Sequence, residues 1–165
     1  MQRRFDQLDD VWPAGLGRRL GAMLYDGFLV AAIWLLVTAL HLVTVRLVLG
    51  LPPEEVGSGL AQVLSLRALL LISAFAFFAF FWVRGGMTLG MQAWRLRVQT
   101  PDGASITPVQ ALVRFLMAWV SLAALGLGYW WVLFDPQRRS WGDIASRSQV
   151  VVLPKPDKTR RNIDR

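Results

Sequence analysis

Residues 19–45, RLGAMLYDGFLVAAIWLLVTALHLVTV, decide the fold. At ~1.5 Å per residue a helix of this stretch spans about 40 Å, enough to cross a bilayer with tilt. Thirteen of its residues are Leu, Ile, Val or Phe. Each favours insertion by up to roughly 0.3–0.6 kcal/mol, against about 2.5–3.5 kcal/mol for a fully central Asp26. The balance favours a membrane helix. The run is also longer than the ~7–15 residues of a signal-peptide core, so it is expected to stay in the mature protein.

Two further apolar runs follow. Leu60 to Val83 reads as a second helix, with Arg67 able to snorkel to the interface and Trp82 at the interface beside Arg84. Ser73, Ala76 and Ala79 form a small-residue stripe on it, where another helix can approach closely. The third run, Ala111 to Phe134, is interrupted by Arg114 and by Gly126-Leu127-Gly128. Between the second and third runs, Trp94 to Thr100 alternates apolar and polar residues, and Pro101-Asp102-Gly103 supplies a turn. This predicts a hairpin outside the membrane, with Ala104 to Thr107 as its returning strand. A short turn or helix is expected around Ser140 to Ser146, then a strand over Gln149–Leu153. Residues 1–18 read as an irregular or interfacial lead-in, 1–153 as a single membrane domain, and 154–165 as a disordered basic tail.

Composition agrees with this reading. The chain is 55% hydrophobic and 18% charged, against about 25% charged in a typical soluble domain. With no cysteine and a single histidine, His41, thiol chemistry and a multi-histidine metal site are excluded. The net charge of +7 lies in residues flanking the apolar runs, where it serves as a topology signal and attracts anionic headgroups rather than nucleic acid. No cofactor site is evident, because Gly86 to Gly90 lacks the spacing of a phosphate loop.

Charge placement discriminates between topologies. Three full crossings would divide the basic residues almost evenly between the two sides, a poor outcome for the positive-inside rule. If the third run dips in and returns at Gly126-Leu127-Gly128, nearly all basic residues except Arg46 and Arg67 fall on one side. The same arrangement lets Gln149–Leu153 join the hairpin in one small sheet, where a lone hairpin would be marginal. The expected fold is therefore membrane all-α: two transmembrane helices, a third broken or re-entrant segment, and a small cytoplasmic β-hairpin or sheet.

Two constellations stand out. Arg19 and Asp26 are seven residues apart, so they share a helix face about 10 Å apart along the axis. An ionisable residue inside a span is a functional-site hypothesis by default; its structural counterpart is a carboxylate paired with Arg19 or hydrogen-bonded to a neighbouring helix. The second constellation is Gly86-Met87-Thr88-Leu89-Gly90, the Leu96-Arg97-Val98 strand, the Leu112-Val113-Arg114 stretch, and Arg138-Arg139-Ser140-Trp141-Gly142-Asp143. Taken in order, these resemble the RDD family of small bacterial membrane proteins over most of the chain. The family is named for an arginine at the start of the first helix, an aspartate within it, and an aspartate near the C-terminus. Here these map to Arg19, Asp26 and Asp143, with Arg114, Gly86, Thr88 and Gly90 in support. Met91 stands where many members have lysine, Gly142 where histidine is common, and Ser148 where threonine is common. The missing lysine weakens an anion-binding role for the Gly86–Gly90 turn.

The resemblance implies a multi-pass protein of the bacterial inner membrane and suggests transport of a cation, a proton or an unidentified ligand; charge placement puts both termini on the cytoplasmic side. One intramembrane carboxylate is thin for a transporter, so a pathway would require a homo-oligomer or a membrane partner. The competing reading is a non-transporting scaffold or accessory subunit in which Arg19, Asp26, Arg114 and Asp143 form a structural network. Enzymatic activity is not expected. His41, about 22 Å from Asp26 along the axis, is too far for a direct relay. Trp82, Trp130, Trp131 and Trp141 read as interface anchors.

Overall fold

A computed structural model of the chain describes residue 5 and residues 11–154. Most of the expected lead-in and the basic tail from residue 155 onward lie outside the described residues. In chain order the elements are β1 (Trp12–Pro13), α1 (Leu16–Leu49), α2 (Leu60–Gly85), α3 (Leu89–Ala93), β2 (Leu96–Gln99), α4 (Pro108–Ala123), α5 (Leu127–Trp130), α6 (Trp141–Ala145) and β3 (Gln149–Val152).

Among the described residues, α1 and α2 are the two helices long and apolar enough to cross a membrane. At ~1.5 Å per residue they reach about 51 and 39 Å, beyond the ~30 Å hydrocarbon core. Both extend further than the sequence pattern suggests, because glycines rather than apolar content end them. Gly50 and Gly86 each adopt the left-handed conformation and close the last turn through their own N–H. Helix packing within the bundle uses Val30, Ala74 and Phe115, with Trp34, Phe75, Phe77 and Phe78 around them. The close-approach residue is thus Ala74, and Ala76, expected in the contact stripe, faces outward. Trp34 Nε1 also donates to the Leu70 carbonyl at 2.9 Å, tying α1 to α2.

The third apolar run is broken where the glycines are. Thr107 and Gln110 form a reciprocal capping box and Pro108 occupies the first turn, so α4 starts firmly. It then runs only 16 residues, ~24 Å, short of the hydrocarbon thickness. Leu125 and Gly126 take successive positive φ angles of 54° and 81°. The chain turns by 108° into residues 127–133. Helix α6 packs back on α4 and α5, and the strand after it pairs with the strand before α4.

The sheet closes the arrangement. Its order is β1-β3-β2, antiparallel throughout, with Leu96 opposite Val152 and Trp12 opposite Val152 on the other edge. The expected return strand at Ala104–Thr107 does not form. Instead Thr100 and Ala104 close a tight turn through a 2.9 Å backbone bond, and the chain passes on to α4. The third strand comes from Trp12–Pro13, which the sequence reading placed in an irregular lead-in. Leu96, Val98, Val150 and Val152 of the sheet pack with Ala14, Ala22, Met91, Ile106 and Ala111 as one core cluster. Chain segments before α1, after α2 and after α6 therefore meet in one place.

Gly86 makes that meeting possible. Its φ is +69°, its carbonyl accepts from Val98 N at 2.7 Å, and a Cβ there would lie 2.6 Å from the Val98 carbonyl oxygen. Gly86→Ala is expected to lower stability in detergent by about 1–3 kcal/mol, from left-handed strain and overpacking. Gly17→Ala, at a helical position with open space around it, is expected to leave stability unchanged or raise it by up to about 1 kcal/mol. Thermal unfolding of the two purified variants checks both.

Candidate functional site

The sequence-predicted residues separate into two clusters. The first centres on Asp143, whose side chain is fully buried. Ser140-Trp141-Gly142-Asp143 begins α6 with a capping box: the Asp143 N–H donates to Ser140 Oγ at 3.3 Å, and the Ser140 N–H donates to Asp143 Oδ2 at 2.9 Å. The same carboxylate takes two arginines. Arg19, in the first turn of α1, donates to Oδ2 at 2.7 Å, and Arg114 of α4 donates to Oδ1 at 2.7 Å. Arg114 also donates to Ser148 Oγ, just before β3.

Arg19 uses its whole guanidinium. Nε donates to the Ala14 carbonyl at 3.1 Å, and Nη2 donates to the Arg138 carbonyl at 2.9 Å. The Arg138 carbonyl is presented by a turn that Asp135 organises, accepting from Arg139 N at 2.9 Å and from the Arg139 side chain at 3.0 and 3.1 Å. Those bonds hold the Asp135 carboxyl down at about 2. At Asp143, burial pushes the carboxyl up, but Arg114, Arg19 and the Ser140 N–H outweigh burial and hold it below the usual carboxylate range.

The second cluster centres on Asp26, also buried. It pairs with no arginine among the described residues. Its oxygens accept from the Thr88 hydroxyl and from the Gly90 N–H, the latter at 2.9 Å. Thr88 caps α3 by accepting from Met91 N at 3.2 Å while donating to Asp26. Gly90 is glycine because α3 lies directly on α1: a Cβ would sit 2.3 Å from the Ala22 carbonyl oxygen. The seven-residue spacing of Arg19 and Asp26 thus puts both on the protein-facing side of α1, but they bind different elements. Arg19 fastens to the C-terminal part of the chain and Asp26 to the turn after α2.

Ser140 and Ser148, which the sequence marked only as motif positions without a role, complete the Asp143 cluster. Ser140 was legible from the Ser-x-x-Asp pattern of a capping box; Ser148 was not, since its role depends on where β3 lands. Trp82 also proves to be more than an interface anchor, with the Arg114 guanidinium 5.4 Å above its ring. His41, at the other end of the bundle, has Nε2 within 3.2 Å of the Gln62 carbonyl, a link between α1 and α2. No group of three or more His, Cys, Asp or Glu side chains suited to hold a metal occurs among the described residues.

These features define a small helical membrane protein, two long apolar helices and a bent third segment knotted to a three-stranded sheet by buried charge. The chain belongs to the RDD family, whose profile matches residues 13–147. No curated protein and no solved structure matches it.

Two outcomes follow for the Asp143 cluster. Asp143→Asn leaves two buried arginines without their counter-ion and is expected to cost about 3–5 kcal/mol. Arg19→Lys keeps the charge but cannot reach three acceptors in three directions, and is expected to cost at least ~1 kcal/mol per lost bond. For pH, Asp143 titrates lower in the folded state than in the unfolded one. Its contribution is therefore complete above the unfolded value of about 4 and drains away as pH falls toward the lower folded value. The unfolding midpoint of the wild type in detergent should drop below about pH 4, and the Asp143→Asn curve should be flatter there.

Proposed function

We propose that the chain is a multi-pass protein of the bacterial inner membrane that acts as a non-transporting scaffold or accessory subunit, with its RDD residues serving as a structural clamp. The observation that carries this reading is the saturation of Asp143, which takes one arginine on each oxygen and a backbone N–H besides. A group that exchanges ligands needs a state in which its partners can leave. Parting either arginine from this carboxylate would leave that arginine buried without a counter-ion, at a cost of about 3–5 kcal/mol.

The sheet supports an orientation. Arg18, Arg84, Arg95, Arg97, Arg138, Arg139 and Arg147 lie at or next to the sheet end of the helices, and the connection at the far end carries Glu54 and Glu55. Under the positive-inside rule the sheet, and with it both chain termini, is cytoplasmic. Activity as a scaffold requires a second copy or a membrane partner, and calls for no enzymatic step.

Cation/proton exchange is the second reading, favoured by the position of Asp26 inside the span. It needs Asp26 to release Thr88 and Gly90 during each cycle. Asp26→Asn in everted vesicles separates the two. The scaffold reading expects no pH-linked flux of Na⁺, K⁺ or Li⁺ from the wild type above empty vesicles, and a partner or second copy that co-purifies with both proteins. Flux that the wild type supports and the Asn variant loses would overturn it. Reporter fusions at Asp102 and Arg165 should both report cytoplasm; opposite sides would sink the orientation.

A further inference from the structure

Helices α1 and α4 both pack on α2 but not closely on each other. The gap between them is a groove of about 400 Å³ with Ala74, Phe78 and Trp82 of α2 among its lining residues. That volume falls within the ~300–1,000 Å³ typical of small-molecule sites. Met23, Ala31 and Trp119 line it and are exposed, so it opens sideways, toward what would be lipid. Most of its wall is apolar, with Val30 and Phe115 the buried members from α1 and α4.

Three polar residues of the groove carry buried atoms that lack partners among the described residues. Arg114 Nε, Trp82 Nε1 and Ser121 Oγ are buried and find no hydrogen-bond partner among the described residues, and all three residues line the groove. Arg114 and Ser121 are 91% and 97% buried, from exposures of 9% and 3%. Guanidinium and indole N–H groups can only donate, so whatever satisfies them brings acceptor oxygen. A buried donor without a partner destabilises the fold, and a fitting occupant relieves that cost.

The position of these donors selects the occupant. Arg114 lies six residues after Pro108 at the start of α4, ~9 Å along the axis, comparable to the ~5–10 Å depth of the headgroup–acyl boundary. The groove continues past it between apolar walls. Arg19, Arg114 and Asp143 together leave one positive charge in excess. Asp26 faces the groove from α1, with its oxygens engaged by Thr88 and Gly90. We propose that this groove binds one anionic phospholipid, its phosphate received by Arg114 and Trp82 and an acyl chain laid along α2. This goes beyond a diffuse attraction of basic residues to headgroups, because it specifies one molecule at one place.

Native mass spectrometry of the detergent-purified chain tests it, with phosphatidylglycerol, phosphatidylcholine and glycerol 3-phosphate as probes. The expected result is one phosphatidylglycerol per chain, held about tenfold more tightly than phosphatidylcholine, with no adduct from glycerol 3-phosphate. Trp82→Phe keeps the ring and removes the N–H, and should weaken the adduct about tenfold, the loss of one hydrogen bond to a charged group. Ala31→Trp fills the groove away from the arginines and should abolish the adduct while the lipid-free unfolding temperature stays near that of the wild type. If Ala31→Trp does not fold, Trp82→Phe decides alone. Equal binding of the two lipids, wild-type binding by Trp82→Phe, or displacement by glycerol 3-phosphate would each overturn the proposal.

Discussion

A fully buried carboxylate must be neutralised or surrounded by donors, and in this chain both happen at Asp143. Its two oxygens draw in Arg19 from the start of α1, Arg114 from α4 and the Ser140 N–H at the start of α6. Those three elements have no reason to converge on hydrophobicity alone, since lipid accepts their apolar faces as readily as protein does. Buried charge gives the helix ends one solution. The sheet follows from it: once α1 begins beside α6, Trp12–Pro13 is within reach of β3, and β3 lies antiparallel to β2.

The net stabilisation of such a cluster is smaller than its contacts suggest, because three charges lose their water. Its larger effect is on specificity. Arg19 binds Asp143 and the Ala14 and Arg138 carbonyls at once, which ties the register of α1 to the C-terminal segment. Asp26 does comparable work one helical face-length further in, where it holds the Thr88–Gly90 turn against α1. The two aspartates of the family name thus fasten different parts of the chain to the same helix. Between those fastenings α1 and α4 remain apart, and the groove between them is a consequence.

How much of this was legible from sequence depends on the length scale of the signal. The two long helices and the break at Gly126 could be read directly, because apolar content over twenty residues and a glycine pair are local features. That the third segment is bent, with the chain after it paired to the strand before it, was expected from charge placement as well, because a return keeps Arg84, Arg138 and Arg147 together. Strand β1 could not, because two residues containing a proline carry no period and pair only with a distant strand. The partition of Arg19 and Asp26 into separate clusters was equally hidden. Their spacing gives a shared face, but the groups that meet that face come from residues 88–90 and 138–143.

The central claim is that Arg19 and Asp143 act as one unit in joining the two ends of the chain. A double-mutant cycle on unfolding in detergent tests it, with Arg19→Met, Asp143→Asn and the pair together. The account predicts that the double variant is more stable than the sum of the single losses implies, with a coupling of roughly 2 kcal/mol, within the 0.5–3 kcal/mol seen for residues in one network. Losses that simply add to within about 0.5 kcal/mol would contradict it, and would mean that the ends of the chain are held together by something other than this pair.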